Sequence, residues 1–153
     1  GWVRVADDSG RLSVAVPREW SVQMRGGGWD PAALGLLGGR RPALLVGGDL
    51  SDWANAGSTA PGVFVGSGTE GGPAPGRPVS LPAHRECTRA PDRRLVFGGV
   101  TGRVERWSAC AGTSVSYSEV LLSAVHGSET YVQIRQADAV DRTDQVLRSL
   151  RIG

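Results

Sequence analysis

Turn-forming residues interrupt this chain so often that little long regular structure fits between them. Glycine occurs 23 times and proline 9 times, a level that signals many turns and long loops while staying below that of low-complexity disorder. Between these breaks the apolar residues mostly alternate with polar ones, the period of a half-buried strand. Trp2-Val3-Arg4-Val5-Ala6 and Leu12-Ser13-Val14-Ala15-Val16 alternate in this way on either side of the turn residues Asp7-Asp8-Ser9-Gly10, which predicts a hairpin ended by Pro17. Further strands are predicted at Pro42 to Val46, Val63 to Val65, Leu95 to Phe97, Gly102 to Ala109, Val115 to Val125 and Tyr131 to Ile134.

Helical signals are sparser. Thr143, Val146, Leu147 and Leu150 fall at i, i+3, i+4 and i+7, one apolar face of a C-terminal amphipathic helix. Asp141 is its expected N-cap, with Val140 placed to staple onto the first turn. Asp30 followed by Pro31 predicts a short helix to Leu37, and Ser51 or Asp52 a second one that dies at Gly57. Arg25 to Arg41 otherwise reads as irregular, and Gly66 to Pro82 as one long loop. Adjacent strands without regular βαβ alternation imply an α+β domain, an antiparallel sheet with helices on its faces. At 153 residues the chain fits one domain, 1–153.

The charges exclude several functions. The net charge of +2 is too small for a nucleic-acid footprint, which needs basic residues gathered on one face. All 17 basic residues are Arg, so chemistry that needs a lysine amine has no residue to perform it. Gly66-Ser67-Gly68-Thr69-Glu70-Gly71 matches a dinucleotide motif, but that site needs a helix N-terminus next. Gly72-Pro73-Ala74-Pro75 blocks one. The histidines, His84 and His126, sit in polar loop sequence and read as solvated, with no nucleophile arranged beside either. His84, Cys87, Cys110 and His126 are spread too widely for a zinc site. No catalytic residue, metal or cofactor is therefore expected.

Cys87 and Cys110 allow one disulfide. Its rival is two buried thiols in a cytosolic protein, but the neighbours of Cys87 (His84, Arg85, Glu86, Arg89) are polar. The disulfide implies an extracytoplasmic setting. No stretch is long enough for a transmembrane helix, and no signal peptide is visible. Gly1 directly before a strand suggests a piece of a longer protein, with any anchor or partner domain outside it.

Three stretches carry a resemblance: Gly10 to Trp20 with its Val-Pro-x-x-Trp ending, Pro61 to Gly66, and Val146 to Ile152 with Ser-Leu-x-Ile. Together they resemble the MOG/PsbP-like fold, in particular its actinobacterial extracytoplasmic members. The resemblance implies an antiparallel sheet of about six strands sandwiched between helices. It also implies a lipoprotein, or a domain appended outside the membrane to a serine/threonine kinase. It supplies no catalytic residue.

Of the five Trp residues, Trp2, Trp20 and Trp107 fit core positions. Trp29 lies in the Gly-rich stretch between Arg25 and Asp30, and Trp53 follows Asp52. An aromatic on a loop brings large contact area at low entropy cost, so Arg25, Trp29, Asp30 and Trp53 are the candidate ligand contacts. Folding of Trp29 back onto the core is the alternative. Arg25, Arg40 and Arg41 flank this loop; contact with an anion is one reading, and plain solvation of the charges is the commoner one. The expected role is a non-catalytic extracytoplasmic binding or sensor domain for a small ligand or a protein, held at a membrane only through a tether outside the sequence. The rivals are an envelope lipoprotein that binds lipid or assists assembly, and a secreted hydrolase with dispersed catalytic residues.

Overall fold

The computed structural model describes residues 1–55, 57–70, 72–76 and 78–153, with Thr69 described by its backbone alone. Gly71, the last residue of the Gly-x-Gly-x-x-Gly stretch, lies outside them.

The predicted hairpin forms as β1 (Trp2–Ala6) and β2 (Leu12–Pro17), in register from Trp2↔Pro17 to Ala6↔Ser13. Asp7 closes its turn, with its carboxylate accepting from Ser9 Oγ at 2.8 Å and from the Leu12 amide at 3.3 Å. The chain then lays down β3 (Gln23–Trp29), β4 (Arg41–Gly47), β5 (Gly62–Thr69), β6 (Thr88–Arg89), β7 (Arg93–Phe97), β8 (Val100–Ser108), β9 (Ser116–Ala124) and β10 (Glu129–Gln136). It ends in α1 (Thr143–Ser149) and β11 (Arg151–Ile152).

These strands form two antiparallel sheets among the described residues. The smaller has the order β1-β2-β11; the larger has eight strands in the order β3-β4-β5-β10-β9-β8-β6, with β7 also pairing β8. The expected sheet of about six strands sandwiched between helices is therefore corrected. Among the described residues strand accounts for 46% and helix for 11%, with one α-helix. The physical reason lies in the three stretches predicted as loop or helix. Gly26 to Gly28 pair with β4 in a continuous antiparallel ladder, Trp29↔Arg41 to Gln23↔Gly47. The helix after Asp30 is one 3-10 turn, Pro31–Leu34, because Gly35 turns left-handed at φ 84° and ends it. Asp30 does cap it, accepting from Ala32 N at 3.0 Å. The stretch after Ser51 is a turn.

The α-helix forms where its period placed it. Val146 and Leu147 are buried against the inner face of the larger sheet. Asp141 accepts from Thr143 N at 3.0 Å, although the N-cap position itself falls on Arg142. Val140 is 56% exposed and staples nothing. The main core lies between the two sheets: Leu12, Val14 and Val16 of β2 face Val63, Val65, Val132 and Ile134 of the larger sheet. Each fully buried aliphatic side chain there contributes about 1.5–3 kcal/mol.

The outer face of the larger sheet is also covered, by chain outside the sheets. Leu34, Leu36 and Leu81 pack on Trp29, Leu121 and Tyr131. The predicted disulfide, Cys87–Cys110, is formed, and Cys110 packs with Trp107, Val115 and Tyr117. Such a bond fits an extracytoplasmic domain. No helix among the described residues is long and apolar enough to cross a membrane.

Candidate functional site: a cleft between the sheets

The two sheets do not close along their whole length. Where β5 ends and β10 begins, a cleft of about 740 Å³ opens between the larger sheet and the layer made by β2, α1 and β11. This is the size of a small-molecule site. Leu12, Leu122 and Leu147 form its buried floor and roof, and Phe97, Leu150 and Ile152 extend the apolar lining toward solvent.

Its polar end comes from inward positions at which the alternation departs from apolar. On β5, Val63 and Val65 face the core and Ser67 continues that row. On β10, Val132 and Ile134 face it and Thr130 precedes them. Ser67 is 5% exposed, and its hydroxyl has no hydrogen-bond partner among the described residues. A buried hydroxyl left unpaired costs about 1–3 kcal/mol. Ser128 and Thr130 gather around Gly68, where a Cβ would stand 3.4 Å from both Ser128 Cβ and Thr130 Oγ1. Arg41 donates from Nε to the Gly68 carbonyl at 3.0 Å. Asp7, Arg11, Glu70 and His126 complete the rim.

A second polar group sits on the opposite, outer face of the same sheet. Glu119 is fully buried. Its carboxylate accepts a hydrogen bond from the Tyr131 hydroxyl, another from Gln133 Nε2 at 2.7 Å, and lies 2.7 Å from His84 Nε2. Burial pushes the Glu119 carboxyl up from its ordinary value, against the downward pull of those hydrogen bonds. Burial and the neighbouring Glu119 charge raise Tyr131 as well. The His84 side chain is 12% exposed and stacks on Tyr117 with ring centroids 3.8 Å apart. The expectation of a solvated loop histidine is thus corrected. The burial comes from the disulfide and from β6, which hold this segment against Trp107 and Ser108 of β8.

Close by, the buried Arg135 donates to the carbonyls of Ala60 at 2.6 Å and Trp53 at 2.9 Å, and to Ser58 Oγ at 3.1 Å. Both networks tie loops to the sheet. Among the described residues no group of three or more His, Cys, Asp or Glu is placed to hold a metal ion. Cys87 and Cys110 are committed to each other.

The four contacts expected from sequence are placed apart from the cleft. Arg25 is exposed on β3, and Asp30 is exposed at its cap. Trp53 is half-buried beneath the Arg135 guanidinium, 4.3 Å from its ring centroid. Trp29 is 7% exposed and sits in a strand, not in a flexible loop. Its ring lies over Gly66, where a Cβ would come within 2.4 Å, and its Nε1 donates to the Ser67 carbonyl at 3.2 Å. Trp29 thus braces from the outer face the strand whose inner face carries Ser67. Of the arginines flanking the Gly-rich stretch, Arg41 reaches the cleft.

No family model, no curated protein and no solved structure matches this chain.

Proposed function

We propose that this chain is a non-catalytic binding domain working outside the cytoplasm, which captures a small ligand in the cleft between its two sheets. The observation that carries the reading is Ser67: a buried hydroxyl without a partner among the described residues, facing a cleft of ligand size. Native folds seldom leave such a group unsatisfied unless something else satisfies it. The disulfide supports the compartment.

A sensor role within a larger membrane-anchored protein, such as a receptor-type serine/threonine kinase, is supported by the construction of the cleft. One wall runs from Leu147 to Gly153, and β11 within it is held to β2 by the pairs Arg151↔Ser13 and Ile152↔Leu12. A ligand lodged under this wall favours one position of the C-terminal segment over others. The apolar floor equally favours an envelope lipoprotein that binds lipid, and both readings use the same cleft.

The test uses Nile red, an uncharged apolar dye. Its fluorescence rises when it binds the wild-type chain. Ala124→Trp, which fills the cleft from β9, reduces the affinity about tenfold, a loss of about 1.4 kcal/mol. Val140→Trp, on the surface, leaves it unchanged. Equal binding by both variants at unchanged melting temperature overturns the reading.

A further inference from the structure

We infer that the cleft takes an organic anion with a single apolar chain, its acidic head at Arg41 and Ser67 and its chain running toward Phe97. The inference rests on the cleft being a binding site and adds the chemistry of its occupant.

The lateral order of the sheet makes the argument. Along this end the strands run β4, β5, β10, β9, β8, β7. Arg41 comes from β4, Ser67 and Gly68 from β5, and Thr130 from β10, with Ser128 just before it. Leu122 comes from β9, Val100 from β8 and Phe97 from β7. The cleft is therefore sorted across its width, polar on one side and apolar on the other. Leu147 and Leu150 of α1 add to its apolar lining. From β10 to β7 there are three strand spacings, about 14 Å, the span of an alkyl chain of about ten carbons.

The polar side is rich in donors. The hydroxyls of Ser67, Ser128 and Thr130 make no side-chain hydrogen bond among the described residues, and Arg41 spends only its Nε, on the Gly68 carbonyl. The outer fork of its guanidinium fits a carboxylate in bidentate fashion. Arg11 adds a second cation at the rim. Two acids oppose these charges. Asp7 is engaged in its own turn by Ser9 and the Leu12 amide. Glu70 is exposed, where water screens it. A cationic head placed beside Ser67 meets the Arg41 guanidinium; an anionic head meets its complement.

Isothermal titration of the chain with decanoate, decylammonium and acetate tests this. Decanoate binds, and the other two bind at least about tenfold more weakly, the first for its charge and the second for its missing chain. Arg41→Gln weakens decanoate about tenfold and Ser67→Ala about threefold. Both variants keep the wild-type melting temperature, which shows that the fold around the cleft is intact. If decylammonium binds as well as decanoate, or Arg41→Gln leaves decanoate unaffected while Nile red still binds, the assigned chemistry is wrong and the cleft reading stands. If neither decanoate nor Nile red binds the wild-type chain, both fall together.

Discussion

Glu119 is fully buried on the outer face of the larger sheet, where His84 Nε2 lies 2.7 Å from its carboxylate. Gln133 and Arg135 alternate with Val132 and Ile134, a pattern that normally means polar residues facing water. Here the polar row faces chain segments that return from far along the sequence. His84 reaches Glu119 across 35 positions, and Ala60 and Ser58 reach Arg135 across more than 70. No local pattern encodes such cover. Burial has a consequence for Glu119 that can be measured. Its folded-state carboxyl is raised above its ordinary value of 4.5. The stability it contributes is therefore fully present below that value and is lost as pH rises through the raised one. Glu119→Gln keeps an acceptor for Tyr131 and removes the titration. In urea denaturation from about pH 4 to about pH 8, the wild-type midpoint falls relative to that of the variant. Asp138 and Asp141, held low by hydrogen bonds and by Arg142 and Arg106, act in the opposite direction in both proteins and cancel in the difference. A pH-independent difference contradicts the account of Glu119.

At the scale of elements, patterns that repeat are legible in the sequence and interruptions are not. The β1–β2 hairpin, the strands from β7 to β10 and the period of α1 follow from alternation and spacing. The strand β3 did not, because Gly26, Gly27 and Gly28 disfavour a strand locally, and seven paired positions along β4 override that preference. The disulfide was legible as the one pairing that two cysteines permit, but not its structural task. Cys110 lies in a turn where Ala109 and Ala111 adopt left-handed backbone, φ 50° and 52°, a conformation that costs an alanine about 1–2 kcal/mol. The turn lets the Ala111 amide donate to the Glu86 carbonyl at 2.7 Å, and with the bond it fixes the segment that brings His84 to Glu119. The bond spans a sequence separation of 23. On the chain-entropy model a loop of that size contributes about 3 kcal/mol. Replacing both cysteines by serine lowers the unfolding free energy by about that amount. It also shifts the emission of Trp107, which His84 meets edge-on at 5.9 Å. A double variant that unfolds at the wild-type denaturant midpoint contradicts this role.

The molecule as a whole is two sheets, one wide and one narrow, that part at one end. That arrangement decides where a ligand fits, and the sequence carries little trace of it. The cleft draws on segments from Asp7 to Gly153, and its division into a polar and an apolar side depends on which strands are neighbours across the sheet. The local traces are two polar residues, Ser67 and Thr130, standing in rows that are otherwise apolar, and Arg41 beside the Gly-rich stretch. The aromatic residue singled out for contact, Trp29, serves the site from behind by supporting Ser67. The central claim is that the space between the sheets is the binding site. Isotope-filtered nuclear Overhauser measurements on the chain with decanoate test it most directly. The account predicts contacts from the alkyl protons to the methyl groups of Leu12, Leu122 and Leu147, between the sheets. Contacts to Leu36 and Leu81 on the outer face, or none at saturating decanoate, would contradict it.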